Sequence, residues 1–431
     1  VFYPGPLIPK DITTTHRNLS LLFRLFEPRD EAPAISLMLC DTMRLGNADS
    51  LGVRVAANAI EALLGIHAEF NVLGDTGMKA IPTSTKTLIY PAACCPDDTT
   101  LTYVAAWVRQ GGHLLLTGDI AYSPQRRHDR TDRYTELIGV IWQDSLYGPT
   151  ERAGKTPVET VWATDQGDVT LPLSPTVRVR PRGATLLATD ANGMPLITHY
   201  AYGQGSITWC ADPLEMGQDQ AAIRQLYRGF LALAGATRGS LRPDVPGLHL
   251  VTTATRTGNV RVLFGRDRDS GFPSVELPMG DASLTLGVGR RSPALVAQGR
   301  DGRWLGVAGT GAITADAQAI AEIAGQAAIM ALDEQDLRKS KALLVLPFAA
   351  STVTWMPGLP LAKPVILFGD VHGGNFRVQE RQSVDPGPSV RLSFVRDRAT
   401  LFAVLCDEAE AQRWGDHISV LMRHPERVQG Y

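Results

Sequence analysis

Three observations predict an α/β domain followed by an antiparallel β domain. Over residues 31–236, continuous apolar runs alternate with stretches of helical spacing, as in a parallel sheet whose strands are buried on both faces by crossover helices. Beyond Gly235 the texture turns to short alternating strands punctuated by turn residues, the pattern of one or two antiparallel β-sandwiches over 237–431. The chain has 431 residues, 44% hydrophobic and 20% charged, enough to divide in this way and bury a core in each part.

In chain order, residues 1–30 open with Pro4, Pro6 and Pro9 and continue through RNLSLLFRLFEPRDEAP, a short amphipathic helix stopped near Pro28. They read as a connector from an upstream domain. The start on Val1, with neither an initiator Met nor a signal-peptide pattern, is what the inside of a longer gene product would show. The first strand is AISLMLC (34–40), and the loop DTMRLGNADS leads to a helix whose apolar stripe is Val53, Ala56, Ala57, Ile60, Leu63 and Leu64, capped by Gly65. AEFNVLG (68–74) and TLIYPAA (87–93) are the next strands. DDTTLTYVAAWVRQGG is a helix with Asp and Thr at its start and Gly111-Gly112 at its end, and strand HLLLTGD (113–119) closes that unit. A polar loop, YSPQRRHDRTDR, precedes a helix RYTELIGV. ATLLATDANGMPLITHYAYGQGSITWCADPLE alternates around Asn192-Gly193 and Gly203–Gly205 as paired strands do, and DQAAIRQLYRGFLALAGA (219–236) is the closing helix. In the β half, HLVTTAT, NVRVLFGR, SVELPM, SLTLGVG, AAIMALD, ALLVLPF, VTWMPG, VILFGD and VRLSFVR are strands, while ADAQAIAEIAGQ (315–326) has helical spacing.

Charge and cysteine usage narrow the function classes. A net charge of −2 supplies no basic field, which argues against nucleic acid or anionic lipid as the main partner. No run reaches the roughly 18 apolar residues of a membrane helix. Cys40, Cys94, Cys95, Cys210 and Cys406 are odd in number and scattered without a CxxC pair, so they read as reduced core thiols, and neither a disulfide framework nor a metal or cofactor is expected. Unpaired cysteines favour a soluble, cytoplasmic setting.

The segment TLIYPAACCPDDTTLTYVAAWVRQGGHLLLTGDIAYSPQRRHDRTDRYTELIGV resembles the core of the trimerisation domain of family 42 β-galactosidases, with strand, helix, Gly-Gly, strand ending in Gly, and Arg-rich loop in the same order. LITHYAYGQGSITWCADPLE resembles that domain's closing hairpin. The resemblance implies a flavodoxin-like, class I glutamine-amidotransferase-like fold over 31–236 and a β-sandwich after it. It further implies a catalytic (β/α)₈ barrel outside this chain, self-association as a trimer, and retaining hydrolysis of a β-glycoside by the complete enzyme. The chain would then be a non-catalytic oligomerisation and accessory part, with the barrel and a carbohydrate substrate as partners. Head-to-tail interfaces that close into a ring make a trimer the natural assembly.

Each candidate residue for chemistry or contact also has a structural reading. Retaining hydrolysis needs two carboxylates about 5 Å apart, which the resemblance assigns to the barrel; within this chain Glu215, just past a strand, is the candidate, and a helix N-terminal acid is the alternative. Cys94 and Cys95 follow a strand as an amidotransferase nucleophile does, but PAACCPDD has no elbow glycines and no His-x-Glu follows. GDVHG (369–373) matches one metal-binding block of metallophosphoesterases without the other blocks, so Asp370 and His372 read as a hydrogen-bonded β-turn. In YSPQRRHDRTDR, with His128, Asp129 and Asp132 among its arginines, Arg127, Arg130 and Tyr122 are the candidates for contact with a neighbouring subunit or the barrel. Tyr122, Trp107 and Trp209 are candidate sugar-stacking aromatics, although Trp107 has the spacing of a core residue. GQGS (203–206) reads as a hairpin turn and not a dinucleotide loop. The alternative to an enzyme part is a stand-alone carbohydrate-binding or scaffold protein, for which the β half offers Trp304, Trp355 and Trp414.

Overall fold

A computed structural model of the chain describes residues 10–29, 33–41, 51–76, 80–148, 157–164, 167–236, 245, 247–266, 271–279, 282–290, 292–356, 361–385, 387–395 and 401–423. The prolines of residues 1–9 and most of the loop DTMRLGNADS lie outside them. The chain forms two compact units, an α/β unit (Ala32–Gly239) and a β unit that joins Val1–Glu31 to Ser240–Tyr431. The fold class is thus α/β plus β, with one sheet containing parallel strands and one large antiparallel sheet.

The α/β unit is built on β1 (Ile35–Leu39), β2 (Phe70–Gly74), β3 (Thr87–Tyr90), β4 (His113–Thr117), β9 (Thr185–Thr189), β10 (Pro195–Tyr202) and β11 (Gly205–Cys210). They lie in the order β2-β1-β3-β4-β11-β10-β9. The first five are mutually parallel and the last two antiparallel. Central strands β3 and β11 are buried at every residue, which is why they read as unbroken apolar runs. Helices α2 (Leu51–Gly65) and α3 (Asp98–Arg109) join β1 to β2 and β3 to β4. The two crossovers step in opposite directions along the sheet, so right-handed connections put these helices on opposite faces. Asp97 caps α3 by accepting from the Thr99 N–H at 2.8 Å. Asp219 caps α4 (Gln220–Leu233) through the Ala222 N–H at 3.0 Å. Two small ribbons complete the unit: β5 (Val140–Ser145) with β8 (Val177–Pro181), and β6 (Val158–Thr164) with β7 (Gly167–Leu173).

The expected helix RYTELIGV is wound as a π turn over Tyr134–Ile138 and ends at Gly139, φ 70°. A Cβ on Gly139 would lie 2.5 Å from the Tyr200 ring, so close packing as well as backbone conformation demands glycine there.

In the β unit the strands are β12 (Leu248–Ala254), β13 (Gly258–Gly265), β14 (Phe272–Met279), β15 (Ala282–Val288), β16 (Ala294–Gly299), β17 (Trp304–Ala315), β18 (Gln318–Ala331), β19 (Ala342–Pro347), β20 (Ser351–Trp355), β21 (Pro364–His372), β22 (Asn375–Ser383), β23 (Val390–Phe394) and β24 (Phe402–Asp407). Among the described residues they form one 13-stranded antiparallel sheet with the path β12-β13-β16-β17-β18-β19-β24-β21-β22. The long β17–β18 hairpin changes partners midway. The first half of β17 pairs with β16 and its second half with β15, while β18 pairs with β20 and then β19. The register slips between Gly309 and Gly311, where φ is 75° at Gly311. One sheet therefore bends into two layers that enclose a core including Leu250, Val296, Val345 and Phe368 from one layer and Leu286, Val353, Trp355 and Leu392 from the other.

Alternate residues of the longer layer point the other way. Leu344, Leu346, Val404 and Cys406 join a second core with Leu21, Leu22 and Phe26 of α1 (Lys10–Phe26) and Trp414 and Ile418 of α5 (Ala411–Arg423). Arg17 pairs with Asp370, its guanidinium lies 5.1 Å over the Phe402 ring, and Asn18 donates to the Pro347 carbonyl.

Two expectations are corrected here. ADAQAIAEIAGQ is a strand: it begins in the β17–β18 turn, where Asp316 and Ala317 take φ 49° and 64°, and long-range pairing on both sides overrides its helical spacing. Asp370 and His372 lie at the end of β21, with Gly373-Gly374 forming the turn. Strand β24 and helix α5 went unanticipated; Gly415 within α5 masks its helical character. Among the described residues no helix is long and apolar enough to cross a membrane.

Candidate functional site

In open α/β sheets, ligands bind beyond the carboxyl ends of the parallel strands, and every chemically active candidate of the α/β unit falls at that edge. Three strands end in a small residue followed by aspartate: Leu73-Gly74-Asp75, Thr117-Gly118-Asp119 and Cys210-Ala211-Asp212. Two positions past the last of these comes Leu214, and then Glu215 in the short helical turn Leu214–Met216.

Each of these carboxyl groups is occupied internally. Glu215 is 0% exposed. Its Oε2 accepts from Thr117 Oγ1 at 2.7 Å and its Oε1 from Tyr227 Oη at 2.8 Å, while Thr117 Oγ1 itself accepts the Ala92 N–H at 2.7 Å. Burial raises the Glu215 pKa above its ordinary value, partly offset by the hydrogen bonds from Thr117 and Tyr227. Asn58 of α2 donates to the Glu215 carbonyl at 2.9 Å, which fixes the turn that carries it. Asp75 accepts from Tyr90 Oη at 2.6 Å and from the Asp41 N–H at 2.8 Å. Asp119 accepts from Tyr134 Oη at 2.7 Å, from the Ala121 N–H at 2.9 Å and from Ser145. Asp212 accepts the Ser174 N–H at 2.6 Å. This is a set of loop fasteners, each binding a strand end to a neighbouring segment.

The thiols sit in the same layer. Cys94 and Cys95 are buried in the core after β3. Burial, and then the nearby Cys95, Cys40 and Asp119, push the Cys94 thiol well above its ordinary pKa. Cys95 is pushed up to about 12 by burial and by Cys40, against the pull of Arg126 and Arg130. Both are protonated at neutral pH and hence poor nucleophiles. The residue in the left-handed conformation after β3 is Ala92, φ 43°, which brings no reactive group to the turn.

The remaining candidates separate by burial. Arg130 is 4% exposed; its Nε lies 2.8 Å from Asp98 Oδ1 and it donates to the Pro96 and Tyr122 carbonyls. It thereby holds the loop to the start of α3. Tyr122 is buried, with its hydroxyl on the Tyr147 carbonyl at 2.9 Å and its ring 3.9 Å from that of His128. Arg127 is exposed. Trp209 is fully buried, its Nε1 donating to the Gly118 carbonyl at 2.9 Å, and Trp107 packs partly buried against the α/β core. In the β unit Trp304, Trp355 and Trp414 are all buried, Trp304 beneath the Arg338 guanidinium at 4.5 Å. Asp370 is engaged by Arg17. Among the described residues no group of three or more His, Cys, Asp or Glu side chains could hold a metal ion. Sequence reasoning missed Asp75, Asp119 and Asp212, although the repeated ending of strand, small residue and aspartate was there to be read.

No family model matches the chain, and no curated protein does either. Solved structures similar to it include a β-galactosidase from Bacillus circulans sp. alkalophilus, 15% identical with a TM-score of 0.48, over 64% of this chain and 43% of that one. Another is a cold-adapted β-galactosidase from a Rahnella species, 16% identical with a TM-score of 0.46, over 62% of this chain and 41% of that one. A third is a polyextremophilic β-galactosidase from Halorubrum lacusprofundi, 13% identical with a TM-score of 0.47, over 62% and 41%. The chain thus spans less than half the length of each of these three.

Proposed function

We propose that this chain is a non-catalytic assembly and accessory part of a glycoside hydrolase of β-galactosidase type, working with a (β/α)₈ barrel that carries the catalytic carboxylates. The observation that carries this reading is the closed carboxyl edge of the parallel sheet: Glu215 is fully buried with both oxygens taken by Thr117 and Tyr227. A general acid must reach the glycosidic oxygen, and a side chain so enclosed does not. Buried, protonated Cys94 and Cys95 argue against thiol chemistry in the same way. The order β2-β1-β3-β4-β11 supports a flavodoxin-like assignment for the α/β unit. The ordered resemblance over residues 87–140 and 196–215 supports its use in trimerisation, with exposed Arg127 as a contact and carbohydrate as the substrate of the whole enzyme.

The test is activity and mass together. The isolated chain is expected to leave nitrophenyl β-galactoside uncleaved above the spontaneous rate and to sediment at three times 46.6 kDa. Turnover by the isolated chain that is abolished in Glu215→Gln would overturn the reading. A glycan-binding monomer would move it to the stand-alone binding protein.

A further inference from the structure

The strand β8 carries a feature that neither the assembly role nor the closed edge uses. Val177 and Val179 are buried in the α/β core, while Arg178 and Arg180 are exposed, and Pro181, Arg182 and Gly183 after them are exposed as well. Alternate residues of a strand point to the same side about 6.7 Å apart, so Arg178 and Arg180 share the outer face of the β5–β8 ribbon. None of the three arginines forms an ion pair or side-chain hydrogen bond with a described residue. The partner strand sets Asp144 across from Arg178 and Ile141 across from Arg180, which leaves positive charge in excess. Among the described residues β8 pairs only with β5.

Like charges at successive outward positions repel, and an anion lying along the row relieves that repulsion. The chain as a whole is slightly acidic, with 42 Lys and Arg against 44 Asp and Glu. A densely charged phosphate polymer, whose sequence-independent binding grows with the number of cations it meets, is poorly served by three arginines on such a surface. A sparsely charged polymer is better matched. The planar fork of arginine fits a carboxylate with two parallel hydrogen bonds.

We propose that Arg178, Arg180 and Arg182 form a binding row for a carboxylated glycan, a polymer bearing uronate groups, laid along β8. The proposal rests on the glycoside hydrolase reading for its choice of a carbohydrate over other polyanions.

Affinity electrophoresis of the full chain through gels containing polygalacturonate tests it, at pH 7.5 and low salt, where the protein is itself anionic and retardation requires a local cationic surface. Neutral galactan, poly-L-glutamate and duplex DNA serve as comparison polymers. Retardation by polygalacturonate alone is expected, weakened at least about tenfold in Arg178→Gln/Arg180→Gln/Arg182→Gln and unchanged in the control Arg377→Gln/Arg391→Gln on exposed strands of the β unit. The proposal fails if polygalacturonate does not retard the chain, if the triple variant is retarded as strongly as the natural sequence, or if poly-L-glutamate or DNA is bound equally well. Because the readout is binding, a chain that assembles with a barrel yet ignores polygalacturonate sinks this proposal and leaves the functional reading standing.

Discussion

At the residue scale the carboxyl edge of the parallel sheet turns on Glu215. Its folded-state pKa is raised, with burial as the largest cause, so folding favours the neutral acid. The associated stability is complete below the unfolded value and is lost as pH rises through the raised folded value. Glu215→Gln keeps an uncharged acceptor and donor at the same place. Its melting temperature relative to the natural sequence should therefore become more favourable as pH rises past the ordinary glutamate range, as read by circular dichroism. Glu215→Ala instead strands the Thr117 and Tyr227 hydroxyls and should cost about 2–3 kcal/mol below the ordinary glutamate range, where Glu215 is neutral folded and unfolded, and less as pH rises. The thiols give a second prediction at this scale: native Cys94 and Cys95 should react with iodoacetamide more than about a hundredfold slower than in the urea-unfolded chain, followed by mass spectrometry. Glu215 and the cysteine pair were legible in the sequence as positions after strands. The confinement of Glu215 was not, because it depends on Thr117 at the end of a strand far back in the chain and on Tyr227 of the helix that follows.

Among the elements, α1 shows how local reading stops short. Its amphipathic spacing is plain in the sequence, yet nothing in residues 10–26 says which surface receives Leu21, Leu22 and Phe26. The structure places them against β19, β21 and β24, strands more than 300 residues away. Leu21→Ala should cost about 2–4 kcal/mol, as for a central core residue, measured by urea unfolding. Hydrogen exchange should show the amides of α1 losing protection together with those of β19 and β24 in Leu344→Ala. The strand β18 marks the opposite limit. Its Ala and Ile spacing suits a helix, and the turn before it is made by Asp316 and Ala317, without the glycine that signals a tight hairpin. Pairing with three other strands fixes it as extended chain.

For the whole molecule, the division into two textures was readable because the periodicity of burial differs: strands covered on both faces in the first half, alternating strands in the second. What could not be read is that the first 30 or so residues belong with the last part of the chain, so that the α/β unit is bracketed by the two segments of the β unit. The α/β unit encloses a core around Leu115, Ile207 and Tyr227, and the β unit holds two, one of them around Leu344, Val404 and Trp414. Compact units that each hold their own core residues unfold as separate cooperative blocks. Scanning calorimetry of the full chain should resolve two transitions. Leu115→Ala, which opens a cavity in the parallel sheet, should lower one, and Leu344→Ala should lower the other. The second of these should also be the transition moved by Leu21→Ala, because α1 is packed into that core. A single transition lowered alike by all three substitutions would mean that the two units unfold as one.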